Sequence, residues 1–183
     1  MPVFTAKELV LLLDNASKKH PDYLACLVLG AFAGFRQSEI GRLSWEDIER
    51  RPGYVEAEAS ETKTQRRRLV EIKPVLAKWL ALCPRQSSQV WPHSRHYLNE
   101  VRAENAEQAK VKWKKNGLRH TWDSCRLAET NDAAKVSAEA GNSPQILYSN
   151  YRELMTPAQA KAWFSVDPPG GGKVVSMQQS KSA

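Results

Sequence analysis

Three cationic side chains and two late tyrosines are the residues of this chain best able to do chemistry together. Arg36, Lys63 and Arg119 are spread along the sequence, and Tyr148 and Tyr151 stand three apart near its end. Two guanidinium groups and an ammonium gathered around a phosphodiester stabilise a pentavalent phosphoryl transition state without a metal ion, because fixed positive charge sits where negative charge develops. Each residue also has a plainer reading. Arg36 and Glu39 have the spacing of a surface helix pair, worth roughly 0.2–0.5 kcal/mol, and a basic loop such as the one holding Lys63 is commonly just a solvated turn. Two aromatics three apart usually share a packed helix face. No Walker loop, GxGxxG, HExxH or GxSxG motif occurs, so nucleotide-cofactor binding and metallohydrolysis have no handle in the sequence. The four histidines, His20, His93, His96 and His120, fall into no ligand pattern, and no metal site or cofactor is expected.

The elements that must position these groups are mostly helical. Thr5-Ala-Lys-Glu8 is a capping box that opens a first helix to about residue 16. Pro21 opens a strongly apolar helix that closes at Gly34, a residue suited to the left-handed C-cap. A second helix over 37–43 follows at once, which leaves Arg36 at a rigid junction from which to aim a planar, permanently charged group. Pro52-Gly53 turns the chain into two short extended stretches, 54–59 and 68–72, that read as a hairpin around the basic loop holding Lys63, Arg66, Arg67 and Arg68. Further helices are expected from Pro74, over 94–109, from near Leu118 with Arg119 in its first turn, over 132–140, from Pro144, and from Pro157 to about residue 164. The basic run Lys110, Lys112, Lys114, Lys115 leads into the helix of Arg119, whose N-terminal N–H groups suit a phosphate. The expected fold class is mainly α with a small antiparallel hairpin (α+β), one domain over 1–166 and a disordered tail over 167–183 rich in Gly, Pro and polar residues.

Composition agrees with a globular domain that meets a polyanion. The 183 residues are 42% hydrophobic and 26% charged, with net charge +7 and pI near 9.4, a balance that favours nucleic acid without proving it. Cys26, Cys83 and Cys125 lie in or beside apolar helical patterns without zinc spacing and read as buried, reduced thiols. With no span-length apolar run and no signal-peptide pattern, the expectation is a cytoplasmic protein with no membrane partner.

Taken in order, AGFRQSEIGRLSWEDI, a lysine in a basic hairpin, NGLRHTWDS and AGNSPQILYSNY resemble the catalytic domain of the tyrosine recombinase (phage integrase) family. Each motif is weak alone; four in the right order at fitting spacings are specific. The resemblance implies that Arg36 and Arg119 are the two catalytic arginines, that Lys63 protonates the leaving 5′ oxygen, and that Tyr151, nine residues beyond Asn142, is the nucleophile. Tyr148 is then expected to pack. The partner is double-stranded DNA, and the implied reaction forms a 3′-phosphotyrosyl enzyme, conserving the phosphodiester energy so that neither ATP nor metal is needed. Further DNA contacts are expected from Lys63, Arg66, Arg67, Arg68, Lys112, Lys114 and Lys115.

Two positions depart from the family pattern. Asn116 stands where the HxxR box has histidine, and an amide cannot take up a proton. Asn142 stands where histidine or tryptophan is usual, although its amide can still donate to a phosphate oxygen. His120 is expected to be structural, since neighbouring helix positions diverge by about 100° and Arg119 would occupy the site. The chain starts where the family's catalytic domain starts, so the expectation is a monomer in isolation with weak, salt-sensitive DNA binding, assembling on DNA as a tetramer that exchanges residues 158–164. A catalytically degenerate DNA-binding module and a type IB topoisomerase-like enzyme are the alternatives.

Overall fold

The computed structural model describes residues 1–57, 68–151 and 154–170. Residues 58–67, with Lys63, Arg66 and Arg67, therefore lie outside the described residues, as does most of the expected tail. Among the described residues the chain is helical apart from one two-stranded sheet.

At the centre is α2 (Pro21–Ala33), with every residue from Tyr23 to Ala33 buried. A helix that is apolar all round must be covered all round. Around it pack α1 (Ala6–Lys19), α5 (Pro74–Leu80) and α7 (Gly117–Thr130). The capping box read at Thr5 is present, with Thr5 Oγ1 accepting from Glu8 N–H and Glu8 accepting from Thr5 N–H. Gly34 closes α2 in the left-handed conformation, φ 65°. A Cβ there would also come within 2.4 Å of the Trp122 ring, so both backbone and packing demand glycine.

After that cap come two short helices, α3 (Gln37–Ile40) and α4 (Trp45–Glu49). The sequence reading runs α3 on to residue 43 and omits α4, whose start is marked by a Ser44/Asp47 capping box. β1 (Tyr54–Ala57) and β2 (Arg68–Glu71) pair antiparallel, with Ala57 opposite Arg68. α6 (Arg95–Gln108) lies against α1 and α2 at the periphery and is mostly exposed. α8 (Ala133–Ala140) and α9 (Pro144–Tyr151) pack on each other and on α7, and α10 (Pro157–Trp163) closes over α7.

Trp163 is fully buried and donates its indole N–H to Ala31 C=O at 2.9 Å. The segment expected to exchange between subunits is thus docked on its own chain here. The three cysteines are buried and free, and no helix among the described residues is long and apolar enough to cross a membrane.

Candidate phosphoryl-transfer site

The site is built where two helices end. Gly34 caps α2 and Gly141 caps α8, both left-handed, and Arg36 and Asn142 follow within two residues of these caps. The turn-closing carbonyls at those ends, Gly34 C=O and Ala140 C=O, each accept a hydrogen bond of 2.6 Å from Arg119, through Nη1 and Nη2 respectively. A guanidinium presents a planar fork of donors, and here one fork ties together the two junctions from which Arg36 and Asn142 emerge. Helix C-termini carry partial negative charge, which suits a cation held at both.

Arg36 reaches back to Asn142, donating from Nη2 to Oδ1 at 3.1 Å, and from Nη1 to Glu39 at 3.1 Å. Asn142 donates on to Asp123 Oδ2 at 3.3 Å, and Arg119 Nε lies 3.8 Å from the same oxygen. Arg36, Asn142, Asp123 and Arg119 are therefore one connected polar cluster. Asp123 is fully buried and its Oδ1 has no hydrogen bond of normal geometry. Burial pushes its carboxyl up to about 6 although Arg119 and Arg36 pull it down. Arg119, itself buried, is shifted downward by desolvation, opposed by Asp123; a guanidinium remains charged regardless.

Tyr151 ends α9 and is buried at the edge of this cluster. Burial, with the Asp123 charge beside it, raises its phenol to about 12, while Arg119 and Arg36 act in the opposite sense. Its hydroxyl lies 2.9 Å from His120 Nδ1. This overturns the expectation that His120 stands apart from the site: successive α7 side chains do diverge, but α9 docks on α7 and carries the Tyr151 hydroxyl to His120 while Arg119 faces Asp123. Tyr148, expected to pack, is 48% exposed. Residues three apart still differ by about 60° around a helix, so the shared face fails here: Tyr151 is buried and Tyr148 lies outside that contact.

Arg68 also differs from its sequence reading as a solvated loop cation and DNA contact. Strand alternation puts it on the same inward side as Val70, and it makes a two-pronged bond to Glu39, Nη1 to Oε1 at 2.7 Å and Nη2 to Oε2 at 2.9 Å. Glu39 in turn accepts from Arg36 N–H at 2.6 Å. Burial alone would raise the Glu39 carboxyl, but Arg68's hydrogen bonds and charge, with the Arg36 N–H, outweigh it and hold the group at about 2. The plain reading of Arg36 with Glu39 as an isolated surface pair thus gives way to a buried carboxylate shared by two arginines.

Asn116 is exposed and sits at the N-cap of α7 with φ 55°, outside the hydrogen-bonded cluster. It lines, with Arg36 and Arg119, a cavity of about 460 Å³ whose walls also bear Arg95, Arg102 and Lys115. Lys112 and Lys115 are exposed, but Lys114 is folded onto Glu8 at 2.6 Å. That engagement leaves it less available to an outside phosphate than its sequence position implies. Two further members, Asp123 and His120, escape a sequence search for catalytic motifs; the only trace of Asp123 is its position four residues after Arg119, on the same helix face. No group of three or more His, Cys, Asp or Glu among the described residues is placed to hold a metal ion.

No protein-family model matches the sequence, and no curated protein matches it in sequence. Solved structures do match its fold. XerA recombinase is similar with a TM-score of 0.67 at 16% identity, covering 92% of this chain and 64% of that one. Lambda integrase residues 75–356 bound to DNA gives 0.63 at 15%, covering 83% and 60%. The catalytic domain of bacteriophage HP1 integrase gives 0.63 at 16%, covering 88% and 92%. The chain thus spans less than two thirds of the first two proteins but nearly all of the isolated HP1 domain. At such low identity the likeness speaks to architecture alone, and that architecture is the tyrosine recombinase catalytic-domain fold.

Proposed function

We propose that this domain cuts and rejoins duplex DNA as a site-specific recombinase or integrase, with Tyr151 as nucleophile. The observation that carries the reading is the convergence of Arg36, Arg119 and the Tyr151 hydroxyl around Asp123 and Asn142. A phosphodiester entering there would meet two guanidinium groups and an amide donor. Arg119 spends one N–H on each helix-end carbonyl and has five donors in all, so others are left to face a phosphate.

Attack forms the Tyr151 Oη–P bond and breaks the P–O5′ bond. The phenol proton leaves to a base, and the departing 5′ oxygen takes a proton from Lys63. Rejoining reverses these transfers onto another 5′ hydroxyl, so the phosphodiester bond energy is retained. Lys63, Arg66 and Arg67, with the exposed Lys112 and Lys115, supply phosphate contacts along the duplex. The protein alone is a monomer and assembles as a tetramer on DNA. Relaxing supercoils without exchanging strands, as a type IB topoisomerase does, would use the same chemistry.

The test is a duplex nicked beside the cut, or supercoiled plasmid where no target is known, quenched in detergent. A covalent protein–DNA product that vanishes in Tyr151→Phe supports the reading. A second reading, a DNA-binding module without catalysis, is favoured by Asn116, which cannot take a proton; DNA binding with no covalent product under any condition would establish it.

A further inference from the structure

With Asn116 unable to accept a proton, the proposed reaction lacks a base at the position where the family resemblance expects one. The phenol that must ionise is hard to ionise, since burial and Asp123 both oppose the tyrosinate. A base is needed within hydrogen-bond reach of the Tyr151 hydroxyl. Among the described residues, one nitrogen base meets that geometry: His120 Nδ1, at 2.9 Å, with the two rings 5.6 Å apart and tilted by 35°.

We propose that His120 is the general base that takes the Tyr151 proton as the phosphotyrosyl bond forms and returns it when the strand is rejoined. This rests on the strand-cleavage reading above. In the forward step the Oη–H bond breaks as Oη–P forms, the proton passes to Nδ1, and His120 becomes an imidazolium; in the reverse step Nδ1–H protonates the departing tyrosine oxygen. No other reactant is required.

The surroundings favour the neutral imidazole that such a base must be. Burial, then the charge of Arg119, then the chain's N-terminal ammonium all shift His120 below its ordinary value. Around Tyr151 the charged neighbours are Asp123 and Arg119 on α7 and Arg36 beyond α2. Asp123 is the other acceptor within reach of the Tyr151 hydroxyl, and its hydrogen bond to that hydroxyl raises the phenol further; on Oδ2 it takes the Asn142 amide and lies 3.8 Å from Arg119. Ionised, it also repels a tyrosinate, which suits a steering role better than that of a base. Neutral His120 accepting at Nδ1 carries its remaining proton on Nε2.

The experiment measures the rate of covalent adduct formation on negatively supercoiled plasmid between pH 5 and 9 for the wild type and His120→Gln. Glutamine keeps a hydrogen-bonding side chain but cannot accept a proton. The expected wild-type rate climbs with pH to a plateau, with its midpoint below the ordinary histidine value. His120→Gln should fall by roughly 10²- to 10⁴-fold and lose that midpoint, rising steadily with hydroxide instead. A variant within about threefold of wild type, or one retaining the same midpoint, overturns the assignment while leaving strand cleavage intact. No adduct from the wild type overturns the cleavage reading first and the catalytic role with it. A second measurement reads the pair without turnover: in protein labelled with 3-fluorotyrosine, the ¹⁹F signal that disappears in Tyr151→Phe should shift at the His120 midpoint. A signal indifferent to that midpoint also overturns the proposal, and equal thermal unfolding and DNA binding for His120→Gln separate lost chemistry from lost fold.

Discussion

Glu39 shows how one residue can organise a site without reacting in it. Its carboxylate takes both prongs of Arg68, the Arg36 guanidinium and the Arg36 N–H, so it sets the direction of Arg36 and anchors β2 at once. Removing one partner of a buried, fully bonded ion pair strands the other charge. Glu39→Ala should therefore lose roughly 3–5 kcal/mol of stability, read as a lowered midpoint in denaturant unfolding. The pH dependence follows from two carboxyls with opposite shifts. Glu39 binds its proton more weakly when folded, at about 2 against 4.5, so its contribution is intact above 4.5 and lost as the pH falls toward 2. Asp123 binds its proton more tightly when folded, at about 6 against 3.8, so its ionisation costs stability as the pH rises from 3.8 through 6. Thermal unfolding followed from pH 7.5 downward should show Asp123 raising stability first and Glu39 withdrawing it below about 4.5. Asp123→Asn should erase the first limb and leave the second.

At the scale of elements, the site is a meeting of helix ends. The C-termini of α2 and α8 bring Gly34 C=O and Ala140 C=O to Arg119, and the N-terminal junction of α3 presents Arg36. Because α2 is wrapped on all sides, its end cannot drift, and the junction inherits that rigidity. Gly34→Ala tests this: the new Cβ would meet the Trp122 ring in a left-handed backbone. Adopting φ > 0 costs about 1–2 kcal/mol for a residue with a side chain, and overpacking adds roughly 1–3 kcal/mol. The variant should unfold at a clearly lower temperature and, if the proposed function holds, lose DNA binding together with stability. Arg126 performs a similar service farther from the site, binding Glu139, Glu129 and Glu71 and so joining α7, α8 and β2.

For the whole molecule, net charge +7 overstates what is available to DNA. Arg68, Arg126 and Lys114 are engaged with carboxylates of the fold, whereas Lys112 and Lys115 are exposed. Affinity for duplex DNA should fall steeply between 50 and 200 mM salt, on the order of 10-fold or more if several phosphates are neutralised. The log–log salt slope should become shallower by about one for Lys112→Ala and for Lys115→Ala, and stay unchanged for Lys114→Ala. A measured slope near zero would sink the phosphate-contact picture.

The sequence by itself determined the elements and their joints. Local signals suffice for these: a capping box at Thr5, prolines at helix starts, Gly34 after an apolar run, and the order of four short motifs. It also made the mainly α architecture with one hairpin legible, because periodicity of 3.6 or 2 residues is a property of neighbours in the chain. Which cation is free and which is buried was decided only by tertiary structure. Arg68 reads as one of three loop arginines until strand register turns it inward onto Glu39, 29 positions away. Which of Tyr148 and Tyr151 is buried cannot be read from their spacing, and docking of α9 on α7 exposes one and seats the other. His120 is 31 residues from Tyr151, a pairing that no local pattern encodes, since it depends on how two helices cross. The physical reason is common to all three: helix formation is written in short-range backbone preferences, whereas a site is written in long-range contacts that exist only once the core has closed.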